Sequence, residues 1–593
     1  MLPGLSGEVT SVETARAAAS RLARKYSDLG TQAVSHGWRQ AGERLARIDQ
    51  YDLTAALVFA TLIALVAFTF GDYGISNDEE VQQHYGELIV RYYASGMTDQ
   101  AVFHFKNLYL YGGLFDVIVV GLQKLLPLDP YAVRHLFSAL TGVGGIAAAW
   151  ATARAIGGAR AGLLAALALS VCGIWYGAMF NHTKDIPFAA AMMTATYLLL
   201  RIGRQLPRPS WRLVVLFGIA SGCAVGLRVL GFFLLSYAAV AVALRLPTAV
   251  KSWGDSMRTA WREAFVFAAR SALPLSVAFV IAYGIMIVAW PWAHLALLNP
   301  LRGFSAFVDF HYPIQTTLFG HVYRMGDVPR WYVPTYVGIK LTLWLLVGSA
   351  AALVFALRPV VRPAPTSGAW RQETLLIAFA AFFPILCEVI VDGPAFSGLR
   401  HFLFTVPPIA VLAGLGLNGV LARLANLHRA AAVAGLGVIL LGLGWDAATL
   451  YRLHPDEYLY FNPLVGGLAG ASRRYDTDYW VNIMPEAVGD LEHFLDRTEG
   501  SRGLARPRRH YMVIVCGERL PFEKEADARL EWTKDVNRGD FFIAPTNMNC
   551  DRALDGRVIA TIERLGVVIG VVKDRRALIQ RNVAGINHAS GVH

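Results

Sequence analysis

Residues 53–70 read LTAALVFATLIALVAFTF, a run without a charged residue. Such a run is typical of a helix that crosses a bilayer, which takes about 20 predominantly apolar residues. Another run, 108–126, is short and interrupted by Gly112, Gly113 and Asp116, so it stays open whether it is re-entrant, interfacial or a short span. The other apolar runs are 133–153, 160–178, 186–203, 213–228, 230–246, 270–291, 334–357, 372–391, 400–421 and 430–447. The sequence therefore predicts a polytopic α-helical membrane protein with about 11–13 transmembrane helices.

The composition of the chain agrees with this prediction. Of the 593 residues, 55% are hydrophobic and only 16% are charged, whereas a soluble domain carries roughly 25% charged residues. These fractions exclude a soluble globular protein and an intrinsically disordered chain. We attribute the formal net charge of +11 to Lys and Arg in cytoplasmic loops and to contact with lipid phosphates, not to nucleic-acid binding.

Basic residues predict the orientation of the spans. Arg39, Arg44 and Arg47 precede the first span, which places the N-terminus in the cytoplasm by the positive-inside rule. If 108–126 adds no net crossing, the later basic loops fall on the same side. The predicted regions are a cytoplasmic segment 1–50, a transmembrane domain 51–447 with external loops 71–107 and 292–333, and an external domain 448–593.

The external C-terminal domain has a mixed pattern. It contains a helix-like stretch at 486–497 and strand-like runs at Tyr511–Val515, Phe541–Ala544 and Gly566–Val572, which together indicate a small α/β domain. Cys516 and Cys550 also lie there. A disulfide is permitted outside the cytoplasm, but the sequence alone leaves their pairing open.

The first external loop carries the acidic stretch Ser76-Asn77-Asp78-Glu79-Glu80, followed by His84-Tyr85-Gly86. Acids just after a span are costly unless they are solvated or used, so they form either a solvated loop face or a functional site. Asp78 and Glu79 are adjacent and point in different directions on a helix, so they do not match the opposed carboxylates of a glycosidase. One carboxylate acting as a general base, with its neighbour holding a partner or a metal ion, fits better.

Further charged residues stand at the ends of predicted spans. Asp185 lies near the start of a helix, where capping alone is the simplest role, and Lys184 beside it is suited to a lipid phosphate. Arg228 and Arg400 stand at membrane depth, where a charge indicates a function by default. A guanidinium pairs well with phosphate, so both are candidate phosphate ligands.

Five segments in the same order resemble GT-C-fold membrane glycosyltransferases, in the branch of protein O-mannosyltransferases and aminoarabinose lipid A transferases. They are Asp78-Glu79 with Tyr85-Gly86, Lys184-Asp185-Ile186-Pro187, Tyr332-Val333-Pro334-Thr335-Tyr336, Arg400-His401-Phe402, and Tyr460-Phe461-Asn462-Pro463-Leu464-Val465-Gly466-Gly467 with Tyr479-Trp480. The resemblance covers about residues 50–580. It depends on the order of the motifs and on their shared membrane face.

The resemblance implies a bacterial inner-membrane enzyme that uses a polyprenyl-phosphate sugar on the periplasmic side, with inversion at the anomeric carbon. It implies Asp78 as the base for the acceptor hydroxyl and Glu79 as a ligand of the acceptor or of a divalent ion. A histidine that some relatives place in the large external loop has no clear counterpart, because His311 and His321 are both candidates, so a metal stays open. The expected contacts to acceptor or sugar are His84, Tyr85, Asp185, His311, Tyr332, His401 and Asn462.

Elementary chemistry agrees with that implication. Phosphate leaves as a stable anion, so the transition state needs a base on the acceptor side and fixed cations near the departing phosphate. Asp78 supplies the first; Lys184, Arg228 and Arg400 supply the second. The expected partners are the lipid-linked donor, the bilayer and an acceptor that is a glycan, a lipid or a protein.

The main alternative is a transporter or flippase of lipid-linked sugars. That class is typified by polar or broken helices near the membrane midplane, often in related halves of the chain. Here the unusual residues gather at one face, which favours an enzyme. An assembly protein would leave the acids of the first loop unexplained, and an oligosaccharide ligase with a larger donor is not separable by sequence.

Overall fold

The computed structural model describes residues 49–252, 256–308, 312–358, 367–499 and 510–579. The chain divides into two compact units, Met1–Leu57 and Val58–His593. The first unit contributes the start of helix α1, Gln50–Thr69, and all the elements that follow α1 belong to the second unit. The basic residues that precede the first span lie outside the described residues.

Helices form most of the second unit. Up to residue 308 they are α2 (Glu79–Ala94), α3 (Leu114–Gln123), α4 (Pro130–Gly157), α5 (Ala159–Ser170), α6 (Gly173–Tyr176), α7 (Ala178–Asn181), α8 (Asp185–Gly203), α9 (Trp211–Val225), α10 (Phe233–Ala249), α11 (Met257–Ala289), α12 (Pro291–Leu295) and α13 (Asn299–Val308). After it they are α14 (Tyr332–Lys340), α15 (Leu343–Leu357), α16 (Ser367–Val391), α17 (Val406–Leu427), α18 (Arg429–Leu453), α19 (Gly467–Ala471), α20 (Met484–Glu499) and α21 (Arg519–Glu525).

Eight described helical stretches are long and apolar enough to cross a membrane. They are α1, α4, α8, α11, α16 and α18, together with Val229–Ala249, which includes α10, and Arg400–Leu427, which includes α17. The count rises to ten if each of two bent pairs is one span. Helix α5 is bent by 70° from the following α6–α7 segment, and α14 is bent by 112° from α15. The prediction of a polytopic helical membrane protein is confirmed, and the described residues hold eight to ten candidate spans where the sequence predicted about 11–13.

The ambiguous run 108–126 contains one short α-helix, α3, of ten residues, preceded by the 3₁₀ helix Leu108–Leu110. At a rise of 1.5 Å per residue it is about 15 Å long, roughly half of a hydrocarbon core. It is therefore too short to cross alone. Its start is fixed to two distant segments, because Gly113 N donates to Ala289 O at 3.0 Å and Leu114 N donates to Gly226 O at 3.2 Å.

The predicted span 334–357 is not continuous, because the chain turns between α14 and α15. The amide of Asn462 donates to Gly338 O at 2.7 Å and to Leu341 O at 2.8 Å. Its backbone N–H donates to Ile339 O at 2.9 Å. A broken helix is tolerated at membrane depth where its freed carbonyls find partners. Asn462, which lies beyond the last span, thus supplies the hydrogen-bond donors for the carbonyls that the break frees.

A five-stranded sheet forms the C-terminal part of the chain. Its strands are β3 (Tyr511–Val515), β4 (Leu530–Trp532), β5 (Phe541–Pro545), β6 (Arg557–Arg564) and β7 (Val567–Asp574), in the order β4-β3-β5-β7-β6. The hairpin β1 (Gln315–Leu318) and β2 (His321–Arg324) is separate. Strand β3 is parallel to both neighbours, and β7 is antiparallel to both of its neighbours. The predicted strands are confirmed, and Cys516 and Cys550 form a disulfide.

Candidate functional site

The adjacent acids of the first loop have different surroundings. Asp78 is the N-cap residue of α2, but its carboxylate makes no capping hydrogen bond and pairs instead with Arg400. Its side chain is 39% exposed. Glu79 is fully buried, accepts from Ser76 N at 2.7 Å and lies 3.0 Å from His135 Nε2. Of Asp78 and Glu79, only Asp78 is therefore accessible to a ligand.

Arg400 joins two carboxylates. It begins the 3₁₀ helix Arg400–Thr405 and pairs with Asp78, while its Nε donates to Asp185 Oδ2 at 3.0 Å. Arg228 pairs with the other oxygen of Asp185. The Arg400 guanidinium lies over the indole ring of Trp480, 4.0 Å from its centroid. Both guanidinium groups are thus held in a fixed orientation by a buried carboxylate.

Lys184 adds a third cation and is 8% exposed. Its Nζ lies 4.3 Å from the centroid of the Tyr111 ring. Burial lowers the pKa of Lys184 to about 8, although Asp78 opposes the shift. The lysine is therefore cationic at neutral pH and loses its charge just above it. We call Asp78, Lys184, Asp185, Arg228 and Arg400 the site cluster; its three cations and two carboxylates leave one positive charge in surplus.

The accessible carboxylate is ionised at neutral pH. Burial by itself raises the pKa of Asp78, but the charges of Arg400 and Lys184 outweigh it, so the pKa lies below its usual value. An ionised carboxylate is the form that accepts a proton.

His182 connects the loop before α8 to the C-terminal part of the chain. The indole N–H of Trp480 donates to its Nε2. Burial lowers the pKa of His182 to about 3, so the ring is neutral and this nitrogen is free to accept. Trp480 therefore contacts both His182 and Arg400 and fixes the distance between them.

A cavity of about 230 Å³ opens beside the site cluster. Arg228, His401 and Tyr111 line it. Most of its other walls are apolar, formed by residues such as Phe233 and Phe402. Glu388 also lines the cavity. A wall that is mostly apolar, with a cation where it meets the site cluster, suits an amphipathic ligand whose anionic end lies at Arg228.

Several predicted contacts lie away from the cluster. His84 is exposed and sits 3.6 Å from Glu87. Asn462 is buried and bonded to the broken span. His321 is exposed at the start of β2. His311 lies outside the described residues.

Two predicted residues support the cluster from behind. The Tyr85 hydroxyl donates to Tyr111 O at 2.8 Å. The Tyr332 hydroxyl accepts from Gly398 N at 2.9 Å, two residues before Arg400. Gly398 has a φ of +64°, a conformation that favours glycine. Tyr332 thus fixes the turn that presents Arg400.

A metal ion would need several His, Cys, Asp or Glu side chains that stand close together. Within the described residues, no three His, Cys, Asp or Glu side chains stand close enough to hold a metal ion together. Glu79 has His135 as its partner, and this pair finds no third ligand in that part of the chain. The described side chains do not form a metal site.

Sequence reasoning did not include Tyr111, Gln82, His182 or Trp480 among the site residues. All are uncharged at neutral pH, and aromatic residues are common at span ends. Their only signal was position: Trp480 belongs to a segment that carries the resemblance, and His182 lies two residues before another such segment.

Residues 130–277 match the family model described as dolichyl-phosphate-mannose-protein mannosyltransferase. No curated protein matches the chain. ArnT from Cupriavidus metallidurans, solved with undecaprenyl phosphate, is 18% identical, with a TM-score of 0.44 over 89% of this chain and 99% of that one. The oligosaccharyltransferase of Archaeoglobus fulgidus is 15% identical, with a TM-score of 0.42 over 78% of this chain and 62% of that one. The predicted resemblance to membrane glycosyltransferases is confirmed by the family match over residues 130–277.

Proposed function

We propose that this protein is a glycosyltransferase that moves a sugar from a polyprenyl phosphate to an acceptor hydroxyl, with inversion at the anomeric carbon. The observation that carries the proposal is the contact between an accessible, ionised carboxylate and a set of buried cations beside an apolar cavity. Asp78 is the carboxylate, and Lys184, Arg228 and Arg400 are the cations. This is the pair of elements that such a transfer needs.

In the proposed reaction the acceptor oxygen attacks the anomeric carbon on the face opposite the phosphate. The bond between that carbon and the phosphate oxygen breaks, and the phosphate keeps the electron pair. The acceptor proton passes to Asp78. A phosphate monoester has a second pKa near 6, so the leaving group gains negative charge as it departs. The surplus positive charge of the site cluster stabilises that gain.

The lipid chain of the donor occupies the cavity. Its phosphate binds at Arg228, where the cavity meets the site cluster. His401 lines the same wall and contacts the sugar. The donor is anchored by its isoprenoid units and oriented by its phosphate, which explains why the enzyme is embedded in a bilayer.

The proposal includes a topology. The N-terminal segment 1–50 is cytoplasmic, and the transmembrane catalytic domain 51–447 opens to the periplasm of a bacterial inner membrane. The domain 448–593 is periplasmic. The location of Asp78 just after α1 and the contact of Trp480 with Arg400 support one shared face for the first loop and the C-terminal part.

The test uses purified wild type and Asp78→Asn in lipid nanodiscs. Each is incubated with a panel of polyprenyl-phosphate hexoses and pentoses, with native membrane extract as the acceptor source, and donor consumption is followed by mass spectrometry. Consumption by wild type alone supports the proposal and names the sugar. Equal consumption by Asp78→Asn would exclude Asp78 as the base.

The two bent spans favour a second candidate, a flippase of lipid-linked sugars, because broken helices at membrane depth form the binding sites of many transporters. Against it, three carbonyls near the α14–α15 break are bonded by Asn462. Movement of intact lipid-linked sugar between leaflets of proteoliposomes, without donor consumption, would establish the flippase.

A further inference from the structure

Arg134 lies in the second turn of α4 and has no exposed surface. A charge buried in a membrane span is costly unless it is paired. Its Nη2 lies 2.6 Å from Oδ1 of Asp116 on α3, and Asp116 is 1% exposed. The two residues form a buried ion pair behind the site cluster, and nothing in the proposed reaction uses it.

The other oxygen of Asp116 is connected to Lys184 of the site cluster by one side chain, that of Gln82. The Gln82 amide on α2 lies between this oxygen, 3.2 Å away, and Nζ of Lys184, 2.9 Å away. An ionised carboxylate only accepts hydrogen bonds and an ammonium only donates them. The orientation of the amide is therefore dictated: its NH₂ donates to Asp116 and its oxygen accepts from Lys184.

We propose that Arg134, Asp116 and Gln82 are positioning residues that hold the Lys184 ammonium in place for the donor phosphate. The inference deepens the proposed function and rests on it. A lysine side chain is a flexible stem with three rotatable donors, so its ammonium has to be fixed by neighbours to act as an oriented ligand. One N–H is fixed by Gln82, and the face of the Tyr111 ring lies on another side of the ammonium.

The neutral amide between Asp116 and Lys184 is the informative part of this arrangement. A carboxylate in direct contact with the ammonium would cancel its charge and compete with a phosphate. The charge of Asp116 is instead neutralised by Arg134, and Asp116 acts on Lys184 only through the two hydrogen bonds of the Gln82 amide. The ammonium is thus oriented by a neutral group, which leaves one N–H for a ligand beyond those that face Gln82 and Tyr111.

A double-mutant cycle on donor binding tests the inference. Affinity for undecaprenyl phosphate is measured in nanodiscs for wild type, Gln82→Met, Lys184→Met and the double variant. Methionine keeps the length of glutamine and removes its hydrogen bonds. Gln82→Met should weaken binding about tenfold, the usual range for a hydrogen bond to a charged group. The double variant should bind no more weakly than Lys184→Met alone, because Gln82 acts through Lys184. Additive losses would overturn the inference.

The pH dependence of the same affinity separates positioning from a structural role. In wild type, binding should weaken as the pH rises through about 8, where Lys184 loses its proton. Gln82→Met removes an acceptor that favours the charged form, so this loss should begin at lower pH. A merely structural defect would lower affinity without moving the pH at which it falls, and that result would also overturn the inference.

Two further variants complete the test. Arg134 is too deeply buried to remove without risk to folding, so Asp116→Asn tests the contact between Arg134 and Asp116 instead. This variant should weaken binding less than Gln82→Met does. The matched control is Gln372→Met. Gln372 accepts from Arg245 Nη1 at 3.1 Å. It lines a void with Gly203 at the end of α8, whereas Lys184 directly precedes the start of α8. Wild type that binds no polyprenyl phosphate would overturn the proposed function and this inference together; normal binding by Gln82→Met would overturn only the inference.

Discussion

Two clusters of buried charge lie at opposite ends of the same helices. At one end, Asp185, the first residue of α8, holds Arg228 and Arg400. At the other, Glu373 near the start of α16 holds Arg204 and Arg245 at 2.7 and 3.0 Å. We call Arg204, Arg245 and Glu373 the far cluster. Each end therefore has one carboxylate between two guanidinium groups.

The two ends differ in what surrounds this shared arrangement. The far cluster borders a void of only about 10 Å³, whereas the site cluster opens on a cavity of about 230 Å³. The site cluster also adds an accessible acid, Asp78, and a buried lysine, Lys184. A carboxylate shared by two arginines is thus a way to join three helices. It becomes a candidate for chemistry only with a base and room for a ligand.

The largest expected effect is that of Asp78→Asn. This variant removes the accessible carboxylate, for which the far cluster has no counterpart. Turnover should fall on the order of 1,000-fold, because general-base catalysis contributes roughly 100- to 10,000-fold. Donor affinity should stay within a few-fold, since the cations remain. Single-turnover kinetics and donor binding by the same preparation measure both. Loss of donor binding together with turnover would point to misfolding or to a binding role instead.

The next effect compares the two central carboxylates directly. Asp185→Asn should lower turnover on the order of 100-fold, because both arginines lose the group that orients them. Glu373→Gln should leave turnover per folded molecule unchanged and lower the free energy of unfolding by about 1–2 kcal/mol, discounted because solvent screens the partly exposed Arg204. Turnover and thermal unfolding of both variants are the measurement. Equal loss of turnover in the two variants would remove the distinction between the clusters.

A smaller effect concerns pH. The far cluster has no lysine, whereas the pKa of Lys184 is lowered to about 8. The protonated form binds phosphate, so donor KM should be constant below pH 7.5 and rise about tenfold by pH 9. Lys184→Arg keeps its charge in this range and should abolish the rise. A KM that rises equally in Lys184→Arg would assign the titration to another group.

The smallest effect expected is that of Trp480→Phe. Phenylalanine keeps an aromatic face for Arg400 and loses the N–H that bonds His182. Turnover should fall about fivefold, as for one hydrogen bond of about 1 kcal/mol. Turnover should fall further in Trp480→Ala, because this variant also removes the ring. The values of kcat for the two variants measure the difference. A larger loss in Trp480→Phe than in Trp480→Ala would contradict this order.

The sequence predicted the spans well because hydropathy is a local property. It missed the break between α14 and α15, since the partner of the break, Asn462, is 121 and 124 residues away from the carbonyls of Leu341 and Gly338. The charged members of the site cluster were predictable, because charged residues at membrane depth or just after a span are costly unless they are solvated or used. Gln82 was not, because nothing in a single glutamine indicates that it lies between an acid and a lysine.

The hydrogen bonds of Asn462 also have a consequence for the order of biogenesis. Synthesis runs from the N-terminus, so α14 and α15 leave the ribosome well before Asn462 does. Until then the carbonyls of Gly338, Ile339 and Leu341 lack the partner that the finished protein gives them. The membrane-embedded part therefore cannot reach its final form during insertion of its own helices. Its folding is completed only when the segment that follows the last span is in place, which makes that segment a part of the folding of the membrane domain.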